Sequence, residues 1–426
     1  MAAARALHAL GARVTITDRK PLGQLAGQVA ALGTAEIAVE AGGHPERIFT
    51  GADLIVLSPG VPKIPPVLAA LDRGIKVIGE LELGWLLAAA PFVGITGTNG
   101  KSTVTTLVGL MLTKAGKRTL VAGNIGNALT EEVPLLRGQD WIVVELSSFQ
   151  LEDIDTFRPR VATVLNVTQD HLDRYASLED YAAAKERVFR NQQQDDTLVL
   201  NFDDPIVRAM ASRAASRVVP FSRLEKLRDG AFVENGVLFV RREAICRVDE
   251  IRITGVHNLE NAMAAAAMAL AAGADPTSVA AVLREFPGLE HRLEHVREKD
   301  GVTYINDSKG TNVGAVVKSV EGFTQPVILI AGGLDKGSDF SPLADLFRRK
   351  VKLLILIGKA ADKMAAALGR ATETVFARTL QDAVQLSHDR AAPGDVVLLS
   401  PACASFDMFK DFEDRGRQFK DAVRNL

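Results

Sequence analysis

The sequence predicts an α/β protein of about three domains, built on mostly parallel sheets, and three observations support this architecture. Short apolar runs rich in β-branched residues alternate with Ala- and Leu-rich helical patterns along the whole chain, which is typical of strands joined by helical crossovers. Glycine-rich turns follow several of these runs, as they do at ligand sites in open parallel sheets. The length of 426 residues, at about 150 residues per domain, predicts about three domains.

Composition and charge exclude several classes of protein. Hydrophobic residues make up 47% and charged residues 24% of the chain, which excludes a disordered or collagen-like protein. The formal net charge of −2 gives no general attraction for nucleic acid. Two cysteines are too few for a disulfide framework, the N-terminus lacks the order of a secretory signal, and no apolar stretch provides the ~20 residues of a membrane span. We therefore expect a cytoplasmic protein without membrane insertion and without a nucleic-acid partner.

The predicted strands fall into three series, which imply three sheets and three domains. The strands cover residues 13–17, 36–39, 53–57 and 75–78, then 92–95, 141–145, 161–166 and 197–201, then 303–306, 327–330, 353–357 and 396–399. An Asn-Gly pair at Asn235 predicts a hairpin turn between 231 and 254. Glu80 begins a connecting helix, and a helical pattern stops at Pro287. The predicted domains are 1–79, 80–287 and 288–426.

The chain begins with a helical pattern over 2–10. Parallel α/β domains normally open with a strand and a Gly-rich turn, so we expect that these elements are missing, through truncation or a start codon placed too late. A domain that genuinely begins with a helix is the alternative. Asp18 ends the next predicted strand, where an acidic residue in a dinucleotide-binding fold would meet a ribose.

The strongest local pattern is a strand over 92–95, a Gly-rich turn and a helical run over 105–114. Backbone N–H groups of such a turn wrap phosphates, Lys101 would neutralise the β/γ charge, and Ser102 could bind Mg²⁺. Ile95 stands where a strict Walker A motif has glycine, so the motif is a variant. The alternative is a glycine-rich turn without a ligand. The predicted phosphate-binding residues are Gly97, Thr98, Asn99, Gly100, Lys101, Ser102 and Thr103.

Two further segments carry candidate metal ligands. Glu145 ends an apolar strand near the loop of the neighbouring strand, which suits a second Mg²⁺ ligand, although such a residue is as often a helix cap or a solvated side chain. His171 lies between Asp170 and Asp173 after another strand, where coordination of a hard cation is plausible. Asp170 could equally cap the next helix.

Five other residues have less specific interpretations. Lys185 lies in a helical pattern and is interpreted as a solvated helix lysine. Asn258 and Asn261 share one helix face, with helix capping as the alternative role. His291 and His295 are interpreted as surface residues.

Polar loops follow three strands of the last series, at residues 306–312, 332–337 and 400–407. Because the carboxyl ends of parallel strands meet at one edge of the sheet, these loops should converge there. Their charged and hydroxyl groups together favour a site for an anionic small molecule.

The order of these motifs resembles the Mur ligase superfamily over essentially the whole chain. The motifs are G-T-N-G-K-S-T, E-L-S-S-F-Q-L-E, N-x-x-x-D-H-L-D-R-Y, G-x-H-N-x-x-N, H-R, N-D-S-K-G-T-N, G-G-x-D-K-G and S-P-A-C-A-S-F-D. The last four favour the member that adds D-glutamate to UDP-N-acetylmuramoyl-L-alanine in peptidoglycan precursor synthesis. They disfavour members that add L-Ala, a diamino acid or D-Ala-D-Ala, and folylpolyglutamate synthetases.

The resemblance implies the architecture, the cofactors and the roles of individual residues. It implies an incomplete N-terminal Rossmann-like domain for UDP, a central P-loop ATPase-like domain and a C-terminal Rossmann-like domain for the amino acid. The implied cofactors are ATP, Mg²⁺ at two sites and a carbamate on Lys185. The implied metal ligands are Ser102, Glu145, His171 and Lys185, and the implied adenosine and phosphate contacts are Asn261, Arg292 and Asp307. The implied substrate-binding residues are Asn124 as a nucleotide-side contact, Asp18 and Arg19 on the uridine side, and Lys309, Thr311, Lys336, Ser405 and Phe412 for D-glutamate.

The implied reaction is ATP-driven amide formation through an acyl phosphate, by a monomer acting on small molecules. Lys101, His171, Lys185 and Arg292 are the implied catalytic residues. Two alternatives stay open at this point: another amide ligase of the same superfamily, and a nucleotide-binding protein without turnover.

Overall fold

The computed structural model describes residues 1–124, 128–168, 174–335 and 337–426. They form two compact units, Met1–Phe286 and Pro287–Leu426. Parallel strands joined by helices occur in both units, which confirms the predicted α/β class. No helix within the described ranges is long and apolar enough to cross a membrane.

The first unit combines a long strand series with helices on its connections. Its strands are β1 (Thr15–Asp18), β2 (Ala38–Ala41), β3 (Leu54–Leu57), β4 (Lys76–Gly79), β5 (Phe92–Thr96), β6 (Thr119–Gly123), β7 (Trp141–Glu145), β8 (Val161–Val164), β9 (Thr197–Asn201), β10 (Arg217–Ser222), β11 (Ala231–Glu234), β12 (Val237–Val240) and β13 (Glu243–Arg247). Its α-helices are α1 (Ala2–Ala9), α2 (Leu22–Ala30), α3 (Glu46–Thr50), α4 (Pro65–Asp72), α5 (Glu80–Leu87), α6 (Lys101–Lys114), α7 (Leu129–Glu132), α8 (Ser148–Glu152), α9 (Leu178–Glu186), α10 (Pro205–Met210), α11 (Val256–Ala271) and α12 (Pro276–Glu285).

The prediction of three sheets is wrong, because the first four strands form two sheets. β1 pairs in parallel with β2, and β3 pairs in parallel with β4. No strand in the described part of the chain pairs with a member of each couple, so hydrogen bonding does not join them. Each couple has its own small apolar core.

The main sheet of the first unit has nine strands in the order β13-β12-β11-β10-β9-β8-β5-β7-β6. All residues of β5 are buried, and this strand lies between β7 and β8. The strands from β6 across to β11 run parallel, whereas β11, β12 and β13 are antiparallel neighbours. Asn235 and Gly236 join β11 to β12 with φ of 52° and 73°, which confirms the predicted hairpin turn.

The second unit has one six-stranded sheet in the order β14-β15-β19-β16-β17-β18, with an apolar core on each face. Its strands are β14 (Glu294–Lys299), β15 (Val302–Asn306), β16 (Val327–Gly332), β17 (Val351–Ile357), β18 (Glu373–Phe376) and β19 (Val396–Leu399). Its α-helices are α13 (Val313–Glu321), α14 (Ala344–Lys350), α15 (Ala361–Leu368), α16 (Leu380–Arg390) and α17 (Phe412–Arg424). All neighbours are parallel except β14 and β15.

Candidate active site

The strand order of the nine-stranded sheet brings the predicted phosphate and metal residues to one edge. β5 leads into the Gly-rich turn, and the neighbouring strands β7 and β8 end beside it. Glu145 is the last residue of β7 and lies in register with Ile95 of β5. The carboxyl ends of these strands therefore meet at the turn, as expected at the point of a parallel sheet where the strand order reverses.

The turn after β5 requires its two glycines. Gly97 and Gly100 have φ of 149° and 84°, which L side chains rarely adopt. A Cβ at Gly97 would lie 2.9 Å from the Cβ of Leu165, and one at Gly100 would lie 2.2 Å from Oδ1 of Asn261. α6 begins directly after the turn, so its first N–H groups, which have no partner inside the helix, lie at this edge.

Two lysines share an acceptor in this turn. The Lys101 ammonium donates to the carbonyls of Gly97 and Thr98 over 3.0 Å each. The Lys185 ammonium donates to the same Gly97 carbonyl over 2.9 Å and lies 4.2 Å from the centre of the Tyr181 ring. Only 1% of Lys185 is exposed. Its interpretation as a solvated lysine is therefore wrong, because α9 packs this face against the sheet edge.

Glu145 fits a metal ligand. It is 3% exposed, and its Oε1 accepts a hydrogen bond from the Asn124 amide over 3.1 Å. Its buried Oε2 has no hydrogen-bond partner among the described residues. Burying an ionised oxygen without a partner is costly, and oxygen anions are the ligands that Mg²⁺ prefers. Ser102, also buried, is the second residue of α6 and lies at the same edge.

The predicted metal ligands also include His171 and Lys185. His171 lies outside the described residues, and so do its neighbours Asp170 and Asp173. Within the described ranges no three His, Cys, Asp or Glu side chains are grouped as a metal site. Of the predicted metal ligands, the structure describes Ser102 and Glu145, which offer oxygens at this edge, and Lys185, which would add oxygens if carbamylated.

Asn261 joins this group, whereas the predicted UDP-side residues of β1 lie elsewhere in the unit. Asn261 is buried on α11, and its amide donates to Asn258 Oδ1 over 3.3 Å, so the predicted shared face is confirmed. Its Oδ1 packs against Gly100. Asp18 ends β1 on a separate two-stranded sheet and accepts the N–H of Lys20 over 2.8 Å, and Arg19 is exposed there.

The polar loops of the second unit converge as predicted. Ser400 follows β19 and donates to Oδ2 of Asp307, which follows β15, over 2.7 Å. Ser319 of α13 donates to the same oxygen over 2.7 Å, and the Leu293 N–H donates to Oδ1 over 3.3 Å. Asp307 is 4% exposed, and burial raises the pKa of this carboxyl above its ordinary value. It therefore holds three segments of this unit together.

His291 is buried, so its interpretation as a surface residue is wrong. It is 3% exposed, and its Nδ1 lies 2.9 Å from the amide nitrogen of Asn306. Because that amide is a donor, Nδ1 is the acceptor and the neutral ring carries its proton on Nε2. Burial lowers the pKa of this imidazole.

His291 contacts several predicted ligand-binding residues. Its carbonyl accepts the N–H of Lys309 over 3.0 Å, and its ring lies edge-on to Phe412 with centroids 6.3 Å apart. The Lys309 ammonium lies 5.5 Å from the centre of the same Phe412 ring, and Thr311 donates its N–H to the Lys309 carbonyl. The structure thus groups these residues beside Arg292.

Two further residues are predicted for D-glutamate, and the described contacts do not link Ser405 to that network. Ser405 is buried, and its carbonyl accepts N–H groups of the following turn. Lys336 lies outside the described residues.

Comparison with known proteins covers almost the whole chain. Family models described as "Mur ligase middle domain" and "Mur ligase, glutamate ligase domain" match residues 95–269 and 291–403. The chain is 50% identical over 430 residues to the UDP-N-acetylmuramoylalanine–D-glutamate ligase of Geotalea daltonii, covering 100% of this chain and 95% of the relative. It is 47% identical over 433 residues to the protein of the same name from Pelotomaculum thermopropionicum, with the same coverage.

Solved structures agree on the fold. MurF from Acinetobacter baumannii has a TM-score of 0.62 at 17% identity, over 97% of this chain and 93% of the other. MurF ligase from Thermotoga maritima in complex with ADP has a TM-score of 0.60 at 15% identity, over 88% of this chain and 99% of the other. At these identities the comparison shows a shared fold, and the three-domain layout is consistent with the fold of these structures. Together with the full-length relatives, these findings establish that the chain belongs to the Mur ligase family.

Proposed function

We propose that this chain is an ATP-dependent, ADP-forming ligase that joins D-glutamate to UDP-N-acetylmuramoyl-L-alanine in peptidoglycan precursor synthesis. The observation that carries the proposal is the 50% identity across the whole chain to a ligase named for this reaction. The site geometry supports it, because a glycine turn, a helix N-terminus and a lysine meet at the point of the parallel strands where the strand order reverses.

The first unit supplies the groups that would handle ATP. Lys101 lies over the turn, where its charge would compensate the β- and γ-phosphates, and the first N–H groups of α6 would face phosphate oxygens. Gly97 and Gly100 let the backbone approach closely. Thr98, Asn99 and Thr103 belong to the same turn and helix start, and Asn261 packs against it.

Ser102, Glu145, His171 and Lys185 would hold Mg²⁺, in two sites, with Lys185 as a carbamate. When bound, the metal would neutralise negative charge on the phosphates of ATP while the γ-phosphoryl group is transferred. The contacts of Lys101 and Lys185 support the carbamate. Both ammonium groups donate to the Gly97 carbonyl, and two positive charges that close together repel each other. Converting Lys185 to an anion would replace this repulsion by attraction to Lys101.

Two steps account for the reaction. The carboxylate of the L-alanyl group attacks the γ-phosphorus, the bond to ADP breaks, and an acyl phosphate forms. The amine of D-glutamate then attacks the acyl carbon, loses a proton, and inorganic phosphate leaves as the amide forms. Lys101 and Arg292 would stabilise the charge that moves during the first step.

The second unit supplies residues for the amino acid. Lys309 would bind a carboxylate of D-glutamate, and Phe412 holds the Lys309 side chain through the face of its ring. Thr311, Lys336 and Ser405 are the further residues proposed for this pocket. Arg292 and Asp307 are proposed to bind the nucleotide. Asp307 would act by fixing the backbone next to Arg292, because its Oδ1 accepts the N–H of Leu293. Asn124, Asp18 and Arg19 are proposed for the UDP substrate.

The test is phosphate release with ATP, Mg²⁺ and UDP-N-acetylmuramoyl-L-alanine, with D-glutamate compared against L-glutamate, a diamino acid and D-Ala-D-Ala. We expect release with D-glutamate alone. Release with another amino acid would assign a different ligase of the family. Binding of the UDP substrate and ATP without release under any condition would mean a nucleotide-binding protein without turnover. We further propose that the protein acts in the cytoplasm as a monomer.

A further inference from the structure

We propose that Asn166 is a positioning residue that fixes the backbone of the phosphate turn before ATP binds. The inference rests on the proposed function, since it assumes that ATP binds with its phosphates at this turn and at the start of α6. Asn166 follows β8, on the opposite side of β5 from Glu145. It is not among the residues predicted to touch a ligand.

The Asn166 side chain holds both polar groups of one backbone residue. Its Oδ1 accepts the N–H of Asn99 over 2.8 Å, and its Nδ2 donates to the carbonyl of Asn99 over 3.1 Å. Its own carbonyl accepts the N–H of Thr98 over 2.9 Å. An amide side chain has one acceptor and one donor end, so it can pair with a backbone residue as a neighbouring strand would.

A matching contact runs in the reverse direction. The Thr98 hydroxyl accepts the N–H of Thr168 over 3.0 Å and donates to the Thr168 carbonyl over 3.3 Å. Residues 98–99 and 166–168 therefore each hold the backbone of the other, and we call this arrangement the reciprocal clamp. Residues 166–168 end three positions before His171 in the sequence. The reciprocal clamp therefore ties the phosphate turn to the segment that leads to a proposed metal ligand.

The turn needs such a clamp because glycines flank the clamped residues. Glycine restricts the backbone less than any other residue type, and Gly97 and Gly100 lie on either side of residues 98–99. Local sterics therefore fix the conformation of residues 98–99 only weakly. Ordering a flexible loop on binding lowers affinity, and fixing it beforehand removes that cost.

The clamp also decides which N–H groups would meet phosphate. The N–H groups of Thr98 and Asn99 are already engaged by oxygens of Asn166. The groups that ATP would use are then those at the start of α6, which begins at Lys101. We accordingly assign Thr98 and Asn99 to shaping the turn rather than to donating to the nucleotide.

The test compares Asn166→Ala with Asn191→Ala. Asn191 also donates its side-chain amide to two backbone carbonyls, those of Asp155 and Phe157, over 2.8 and 3.0 Å, and it takes no part in the proposed site. Both variants lose side-chain bonds to the backbone, so both should lower the melting temperature. ATP affinity is measured by calorimetry without the UDP substrate, and hydrogen exchange is followed over residues 97–100 without nucleotide.

We expect Asn166→Ala to raise the Kd for ATP about tenfold or more and to speed exchange over residues 97–100. Asn191→Ala should change neither. Asn166→Asp keeps an acceptor for the Asn99 N–H, so it should retain slow exchange there and serves if the alanine variant does not fold. Wild-type affinity and exchange in Asn166→Ala would overturn the inference. A wild-type protein that binds no ATP would instead overturn the proposed function.

Discussion

Lys101 and Lys185 donate to the same backbone oxygen, the carbonyl of Gly97, over 3.0 and 2.9 Å. The two ammonium groups thus lie within two hydrogen-bond lengths of each other, although 84 positions separate them in the numbering. Like charges at this separation repel, and one of the two is buried. The charge on Lys185 therefore decides whether the two side chains repel or attract each other. The role of each lysine can be tested by its own substitution.

Replacing Lys101 by Ala should reduce phosphate release about a hundredfold or more, because a charge over the phosphate turn is lost. The matched control is Lys114→Ala at the other end of α6, where the lysine forms an exposed ion pair with Glu285 over 3.1 Å. Exposed pairs contribute little, so that variant should behave as wild type. A Lys101→Ala rate within about tenfold of wild type would contradict the role given to this lysine.

Replacing Lys185 by Ala should abolish turnover if the lysine carries a carbamate that binds Mg²⁺. Added formate or acetate should then partly restore activity, because the metal needs an oxygen anion more than a covalent tether. Lys101→Ala is the control, since the same acids should not rescue a lost cation. The wild type should also lose activity when CO₂ is removed. Normal turnover in Lys185→Ala would refute the carbamate, and loss without rescue would indicate that the lysine serves as a buried cation.

Glu145→Gln should shift the Mg²⁺ concentration needed for half-maximal activity upward by about tenfold or more, because a neutral amide is a poorer ligand than a carboxylate. The substitution keeps an oxygen for the Asn124 amide. Glu186→Gln, which alters an ion pair with Arg213 at the end of α9, is the control and should leave the Mg²⁺ dependence unchanged. An unchanged dependence in Glu145→Gln would remove this residue from the metal site.

His291 should make the second unit sensitive to acid. Its pKa in the folded protein is lowered by burial, so the unfolded chain binds the proton more readily. The contribution of the neutral, buried ring to the free energy of unfolding is therefore fully present at a pH above the ordinary histidine pKa of about 6.5. It is lost as the pH falls from there toward the lower pKa that His291 has in the folded protein. Protonation would also place an N–H against the Asn306 amide donor.

The measurement is the melting temperature at two pH values on either side of about 6.5. The wild type should lose about 1–3 °C more on acidification than His291→Gln. His295→Gln changes an exposed histidine of the same unit and should retain the wild-type loss. Equal losses in wild type and His291→Gln would contradict this assignment.

The sequence alone determined the local elements that carry the chemistry. Three of these elements depend only on residues close to one another in the sequence. They are the apolar strand and glycine turn before α6, the carboxylate that ends β7, and the helix face shared by Asn258 and Asn261. Such patterns follow from backbone conformation and side-chain periodicity, which neighbouring residues set. The convergence of the loops in the second unit was also predictable, because parallel strands must end at one edge.

Tertiary structure decided which of these elements meet and which polar side chains are buried. The order β8-β5-β7 places Glu145 and Asn166 on opposite sides of one turn, and the sequence states no strand order. Lys185 and His291 have unremarkable sequence neighbours, yet one lies against the Gly97 carbonyl and the other against Asn306. The first four strands likewise form two sheets rather than one. Strand order and burial depend on contacts between residues far apart in the chain, and local periodicity carries no information about those partners.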